Sequence, residues 1–345
     1  MTDTRRAFLK SGLAAGVAIP AMAAPAVVHA QQNIKWRAQC FWSSSEVTYK
    51  AFEELCTRIG KLTQGRLTIE PFSGGAVTGV FESLDAVSAG VLHAQSSWPG
   101  YWTGKEPALS LLGDLAFAYT DPMQMATWYY ERGGLALLRE AYAKYNVHVV
   151  GVTWWGAESL VSKKPLRTIA DFKGLKIRSP QGLTADIFTK IGASPVILPG
   201  GEVYSALDKG VVEAADWATV SMNQRLGLFE PAKNSVTMFH SLPVQEFSVN
   251  AAAWKQLPDD LKEIVTAAVH EWGWYQIRKV ASEDARVAKE VKAKGVTQIT
   301  WSGEELTKIR GIAQDSWKQF ATKSPLATKV YEAQVAWLNE LGLLS

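Results

Sequence analysis

Residues 258–294 run from Pro258 to Gly295 without another proline, and this stretch constrains the fold most. Pro258, Asp259 and Asp260 suit a first helical turn, because proline's φ is already helical and the acids face the positive end of the helix dipole. Leu261, Ile264, Val265, Ala268, Val269 and Trp272 then form one apolar stripe at helical spacing. At about 1.5 Å per residue the helix is roughly 50 Å long, longer than a small lobe is wide. It is therefore predicted to lean across two lobes, with Gly273 the place where it would kink. Ser302-Gly303-Glu304-Glu305 reads as a capping box that starts another helix, and Leu326–Leu343 supplies a last amphipathic one.

A weak internal repeat also points to two lobes. Pro71-Phe72-Ser73-Gly74-Gly75 leads through a helix to Gly90 and a strand at Val91–Ser96. Ile197-Leu198-Pro199-Gly200-Gly201 leads through a shorter helix to Gly210 and a strand at Val211–Asp216. Each copy is strand, double-glycine turn, helix, glycine cap, strand, the grammar of a βαβ unit. Before them, Ile34–Cys40 reads as a strand and the segment from about Glu46 as a helix with Phe52, Leu55, Cys56 and Ile59 on one face.

Gly174-Leu175-Lys176-Ile177-Arg178-Ser179-Pro180 reads as a short strand carrying one guanidinium to its C-terminal tip, where Pro180 stops it. In open α/β sheets ligands bind beyond the C-terminal ends of strands, and a planar five-donor fork suits a carboxylate. An exposed strand-end ion pair is the competing reading. Asp216 ends its own strand towards the same cleft. Trp98, Tyr101, Phe41 and Trp42 also follow strand ends, where cleft wall and core packing are equally open to them.

The first thirty residues read as an export leader. Thr4-Arg5-Arg6-Ala7-Phe8-Leu9-Lys10 is a twin-arginine motif, a short Ala-rich apolar run follows, and Val28-His29-Ala30 fits small-x-small cleavage. This implies the twin-arginine export machinery as a partner and the periplasm as the location. Setting aside Asp3, Arg5, Arg6 and Lys10, residues 31–345 hold 33 basic and 32 acidic side chains. That balance offers nucleic acid no strong basic field. Cys40 and Cys56 are the only cysteines, with no metal-ligand spacing; a disulfide and two buried thiols both remain open.

The runs Lys163-Lys164-Pro165, Ile169–Arg178, Ala206-Leu207-Asp208-Lys209-Gly210 and Glu213-Ala214-Ala215-Asp216-Trp217 together resemble a known family. It is that of the periplasmic solute-binding proteins of tripartite ATP-independent periplasmic (TRAP) transporters, of the dicarboxylate-receptor type. The resemblance covers essentially all of residues 31–345. It implies a two-lobed α/β fold of the Venus-flytrap kind with the long helix spanning both lobes, and a membrane permease as partner. Lobe I would hold residues 31–152 and about 243–300, and lobe II residues 153–242 and about 301–345. It also implies a carboxylate clamp at Arg178. The nearest branch binds 2-oxo or 2-hydroxy acids with a cation, where an acidic residue followed by tryptophan, here Asp216-Trp217, holds both.

That branch has a glutamine where this chain has Ala157, with Glu158 adjacent, and a substrate-touching glutamate where this chain has His240. If Glu158 and Asp216 both reach the site, with Trp217 beside them, two carboxylates favour Ca²⁺ over Na⁺; if Asp216 alone does, a cation-free site accepting a ligand hydroxyl fits. No other cofactor is required. No GxGxxG, GxSxG or P-loop spacing is present, so the chain is read as a binding protein and not an enzyme. A twin-arginine-exported oxidoreductase and a ligand sensor using the same cleft are the competing functions.

Overall fold

The computed structural model describes residues 33–344; the leader lies outside them. The chain opens with β1 (Ile34–Cys40), α1 (Val47–Leu62), β2 (Leu67–Phe72), α2 (Ser83–Ser88) and β3 (Ala94–Ser97). Three helices follow, α3 (Ala108–Gly113), α4 (Pro122–Glu131) and α5 (Gly134–Ala143), then β4 (Val147–Trp154). A second series comprises β5 (Ser159–Ser162), β6 (Lys176–Ser179), α6 (Leu183–Lys190), β7 (Ser194–Ile197), α7 (Val203–Asp208), β8 (Ala214–Ala218), α8 (Val220–Arg225) and β9 (Asn234–Thr237). The last part runs β10 (Val244–Asn250), α9 (Ala251–Gln256), α10 (Asp259–Ala293), β11 (Thr297–Thr300), α11 (Gly303–Ala321) and α12 (Pro325–Glu340).

Two mixed sheets result, ordered β2-β1-β3-β10-β4 and β11-β9-β5-β8-β6-β7, each the floor of one lobe. The internal repeat is larger than its glycine turns suggest. β1-α1-β2-α2-β3 and β6-α6-β7-α7-β8 share one topology, three parallel strands in which the first lies between the other two. The last strand of each repeat begins three residues later than the sequence reading placed it. Ala86 O accepts both Val91 N and Leu92 N, and Ala206 O accepts Val212 N, so each segment first wraps back on its helix.

The lobes exchange strands. β10, arriving from the second lobe, pairs antiparallel with β3 and β4; β5, arriving from the first, pairs antiparallel with β8 and β9. The chain crosses between lobes at residues 155–158 and 238–243, and each crossing passes through left-handed backbone, at Gly156 (φ 103°) and Phe239 (φ 50°). A third connection is α10, unbroken over 35 residues. Gly273 does not kink it. A Cβ there would lie 2.8 Å from Val152 O, so the glycine lets the helix press directly onto β4.

Two boundaries move because α10 is so long. It delivers the chain to the second sheet, so Thr297–Thr300 pair with β9 there and not in lobe I. α12 packs back on α3 and α5 of the first lobe, not in lobe II. The Ser302 capping box does not form; Glu305 Oε2 instead accepts Ile169 N at 2.8 Å. Cys40 and Cys56 are free and buried thiols. Among the described residues no helix is long and apolar enough to cross a membrane.

Glu46 precedes α1 and is 1% exposed, and neither carboxylate oxygen has a hydrogen-bond partner among the described residues. Burial pushes its pKa up to about 7, with Arg225 of α8 pulling weakly the other way. The folded protein therefore holds this proton more tightly than the unfolded chain. The stability it contributes is full below pH 4.5 and is lost as pH rises through 7. Glu46→Gln is expected to flatten that fall, gaining on the order of 2–3 kcal/mol at pH 8 and little at pH 4 in denaturant titrations.

Candidate functional site

The site lies where both sheets present the C-terminal ends of their parallel strands, beside the point where strand order reverses around β1 and β6. Phe41 and Trp42 follow β1, Trp98 follows β3, Arg178 sits near the tip of β6, and Asp216 and Trp217 lie in β8. The two crossings add Trp155 and Glu158 on one side and Ser241 and Pro243 on the other. These residues, with Tyr101, Asp114, Pro180 and Thr184, enclose a cavity of about 30 Å³, room for roughly two waters.

Arg178 is not in a surface ion pair; it is 2% exposed. Nε and Nη2 donate to Leu198 O at 3.0 and 2.9 Å, and Nη1 donates to Asp216 O. Three of five donors are thus spent on backbone carbonyls. One N–H remains on each terminal nitrogen, so the guanidinium keeps two donors for a ligand carboxylate. Trp217 covers the guanidinium, its ring 5.3 Å from the central carbon. Burial lowers the arginine's pKa, offset by Tyr101, Asp216 and Glu158, and it stays charged.

Glu158 and Asp216 both reach the site. Asp216 Oδ1 lies 2.9 Å from His240 Nε2, and Glu158 Oε1 accepts Trp155 Nε1 at 2.9 Å. Atoms of Glu158, Asp216 and His240 lie within 4.8 Å of one another. Burial and the neighbouring Asp216 charge raise the Glu158 pKa well above the carboxylate range. Burial would raise Asp216 as well, but His240, Glu158 and Arg178 together hold it below its ordinary value. The two carboxyls titrate as one coupled pair, with Glu158 pushed up and Asp216 held down.

His240 is fully buried behind Asp216, between the rings of Phe117 and Phe188, and does not line the cavity. Glu158 lines the cavity where Ala157 does not. Phe41, Trp42, Trp98 and Tyr101 all do, and the first three are at the same time buried in a hydrophobic core cluster against which Tyr101 packs, so the two readings coexist. Asp114, Thr184 and Ser241 escaped sequence reasoning. Asp114 follows the last turn of α3 and accepts Leu242 N at 3.3 Å, a contact between residues distant in sequence that no local motif announces. Burial raises its pKa to about 7, against the pull of Ser241, Leu242 N and His240.

The profile of bacterial extracellular solute-binding proteins, family 7, matches residues 39–324. The chain belongs to that family. A monocarboxylate 2-oxoacid-binding periplasmic protein of Nostoc sp. is 30% identical over 90% of this chain and 85% of its own. A TRAP periplasmic solute-binding protein from Rhodobacter sphaeroides, solved in an apo open form, is 36% identical with a TM-score of 0.74, covering 90% of this chain and 99% of that one. One from Bordetella bronchiseptica, with calcium and picolinate in its active site, is 27% identical with a TM-score of 0.82, covering 90% and 93%. Other solved forms hold calcium or sodium together with pyruvate. These relatives are binding components of transporters rather than enzymes, so the oxidoreductase reading has no support.

The six-membered ring of Trp217 packs directly against Gly200, where an added Cβ would fall 1.9 Å from the indole. Gly200→Ala is expected to push Trp217 out of the wall and cost about 1–3 kcal/mol in denaturant unfolding. Gly201→Ala is the control. An added Cβ there meets nothing within 4 Å, and its stability should stay within about 0.5 kcal/mol of the parent.

Proposed function

We propose that this periplasmic TRAP solute-binding protein captures a small 2-oxo or 2-hydroxy monocarboxylate together with a cation, Ca²⁺ in preference to Na⁺, and delivers it to a membrane permease. The observation that carries this reading is the convergence of the Arg178 guanidinium and the Glu158–Asp216 carboxylate pair on one small cavity. Arg178 meets the ligand carboxylate. Without further positive charge, two protein carboxylates would oppose an anionic ligand in a buried site.

The donor set fits a hard cation, because Glu158 and Asp216 offer oxygens and His240 is already engaged in holding Asp216. These two carboxylates would hold the ion, with Trp217 beside them, and the ion would supply the charge that offsets them. Arg178 and a divalent cation together balance Glu158, Asp216 and one ligand carboxylate. A monovalent ion balances them only while Glu158 keeps its proton. The pyruvate-bound and 2-oxoacid-binding relatives support this ligand class, and the calcium-bound relative supports the ion.

Closure is part of the reading. Ala218 and Met222 of the second lobe are buried in the same cluster as Trp36, Trp42 and Phe52 of the first, which describes lobes shut on each other. The open relative scores a lower TM-score than less identical ones, as a difference in lobe angle would produce. The lobes hinge at 155–158 and 238–243, and ligand binds the closed form. Export through the twin-arginine route, from the motif at Thr4–Lys10, completes the proposal.

Arg178→Ala is expected to cost about 3–5 kcal/mol of binding, because it leaves the ligand carboxylate buried and unpaired. Calorimetry with pyruvate in 1 mM-range Ca²⁺ reads this, and near-parental affinity would remove Arg178 from the site. The cation has its own check. Thermal stabilisation by pyruvate should vanish after exhaustive EDTA treatment in Na⁺-free buffer and return with Ca²⁺; stabilisation that persists would eliminate the ion.

A further inference from the structure

Behind the ligand cavity lies a buried amide relay that the binding reading does not use. Trp42 sits at the centre of the aromatic wall, its ring centroid 4.2 Å from Phe41, 5.1 Å from Trp155 and 5.5 Å from Trp217, the last two edge-on. It is the ring through which the first lobe touches both a crossing and the second lobe. Its indole Nε1 donates to Gln245 Oε1 of β10 at 3.0 Å. Gln276 of α10 donates to that same oxygen at 2.9 Å and to Trp154 O at 3.3 Å. Gln245 Nε2 donates in turn to Ser96 Oγ at 2.7 Å.

Gln245 and Gln276 are both fully buried, and neither lines the cavity. A buried amide among apolar residues costs free energy unless its hydrogen bonds are made, so two of them here need a reason. One amide oxygen receives two donors, and one of these comes from the helix that joins the lobes. An indole can turn about its side-chain bonds within an aromatic cluster. Its single N–H then acts as the tether that selects one angle, because any other angle leaves a buried donor unpaired.

We propose that Gln245 is a positioning residue for ligand selection: anchored by Gln276, it holds the Trp42 indole at the angle that shuts the cavity to acids with longer side chains. The proposal rests on the binding reading above for its ligand class, but its mechanism concerns this chain's own side chains. Trp42 touches ligand; Gln245 and Gln276 act only through it.

The test is a double-mutant cycle between Gln245→Met and Trp42→Phe. Methionine keeps the length of glutamine without the acceptor, and phenylalanine keeps a ring without the N–H. Affinities for pyruvate and 4-methyl-2-oxopentanoate are measured by calorimetry in Ca²⁺ buffer. In the parent background, Gln245→Met is expected to shift the affinity ratio about tenfold towards the longer acid, the scale at which hydrophobic pockets discriminate by size. In the Trp42→Phe background the same change should move the ratio less than about twofold, since no N–H remains to tether. An equal shift in both backgrounds would show that Gln245 acts through the sheet, and would overturn the proposal.

Near-ultraviolet circular dichroism supplies a readout that needs no ligand. The coupled indoles of Trp42, Trp155 and Trp217 should change their signal on Gln245→Met, and the change should disappear in the Trp42→Phe background. Superimposable spectra of parent and Gln245→Met overturn the proposal even if neither acid binds. In that event the failure to bind counts against the ligand class alone.

Discussion

Glu158 N donates to Ser241 O at 3.0 Å, and through that bond the two chain crossings between lobes are fastened to each other. Much of the site follows from it. Each crossing joins a strand of one lobe's sheet to a strand of the other's, β4 to β5 and β9 to β10. Residues on β6 and β8 approach the crossings from one side, and those on β1 and β3 from the other. Glu158 lies on a crossing and Arg178 and Asp216 on one lobe, so the charge cluster draws on one lobe and a crossing, whereas the aromatic wall joins Trp42 of the first lobe to Trp217 of the second.

The electrostatics of that cluster explain why it tolerates burial. A guanidinium and two carboxylates are costly to desolvate singly, and each here is paired to backbone or side chain. Arg178 spends three donors on Leu198 O and Asp216 O, which fixes its plane before any ligand arrives. Asp216 is bound through its carbonyl to Arg178 and through its carboxylate to His240. His240 thus takes a role that a glutamate cannot. It supplies a donor to Asp216 from behind, inside the protein, and leaves the acidic face of the pair towards the cavity.

Much of this was legible in the sequence, for physical reasons that differ by element. α10 was legible because its apolar stripe has one period over its first turns and proline is absent to its end. Arg178 was legible because a short strand stopped by proline can put only its tip in a cleft. The exchange of β5 and β10 was not. β10 is buried along its whole length, polar Gln245, Glu246 and Ser248 included, so no alternation marks which sheet it joins. The larger repeat was hidden likewise, since β1-α1 and β6-α6 share topology with little shared sequence. Ser302-Gly303-Glu304-Glu305 misled because a capping box is a local preference of modest energy. Glu305 found a better donor in Ile169 N of the other segment. Asp114 left no signal because its partners lie more than a hundred residues away.

Three connections join the lobes, and they differ in how they yield. Residues 155–158 and 238–243 pass through left-handed backbone at Gly156 and Phe239. Glycine takes that conformation freely, whereas a bulky aromatic holds it only under constraint from its surroundings. α10 cannot bend sharply, since Gly273 is pressed on Val152 O and no proline interrupts it. It also carries Asp284, which accepts Thr219 Oγ1 at 2.8 Å and Ser221 N at 2.9 Å and so fastens the start of α8. The second lobe is therefore tied to one end of a stiff rod whose other end lies along β4 and α1 of the first. A turn at the crossings must either carry α8 along the rod or break these bonds. The rod and the Asp284 bonds together thus fix how α8, and the second-lobe wall that leads into it, lie relative to β4 and α1.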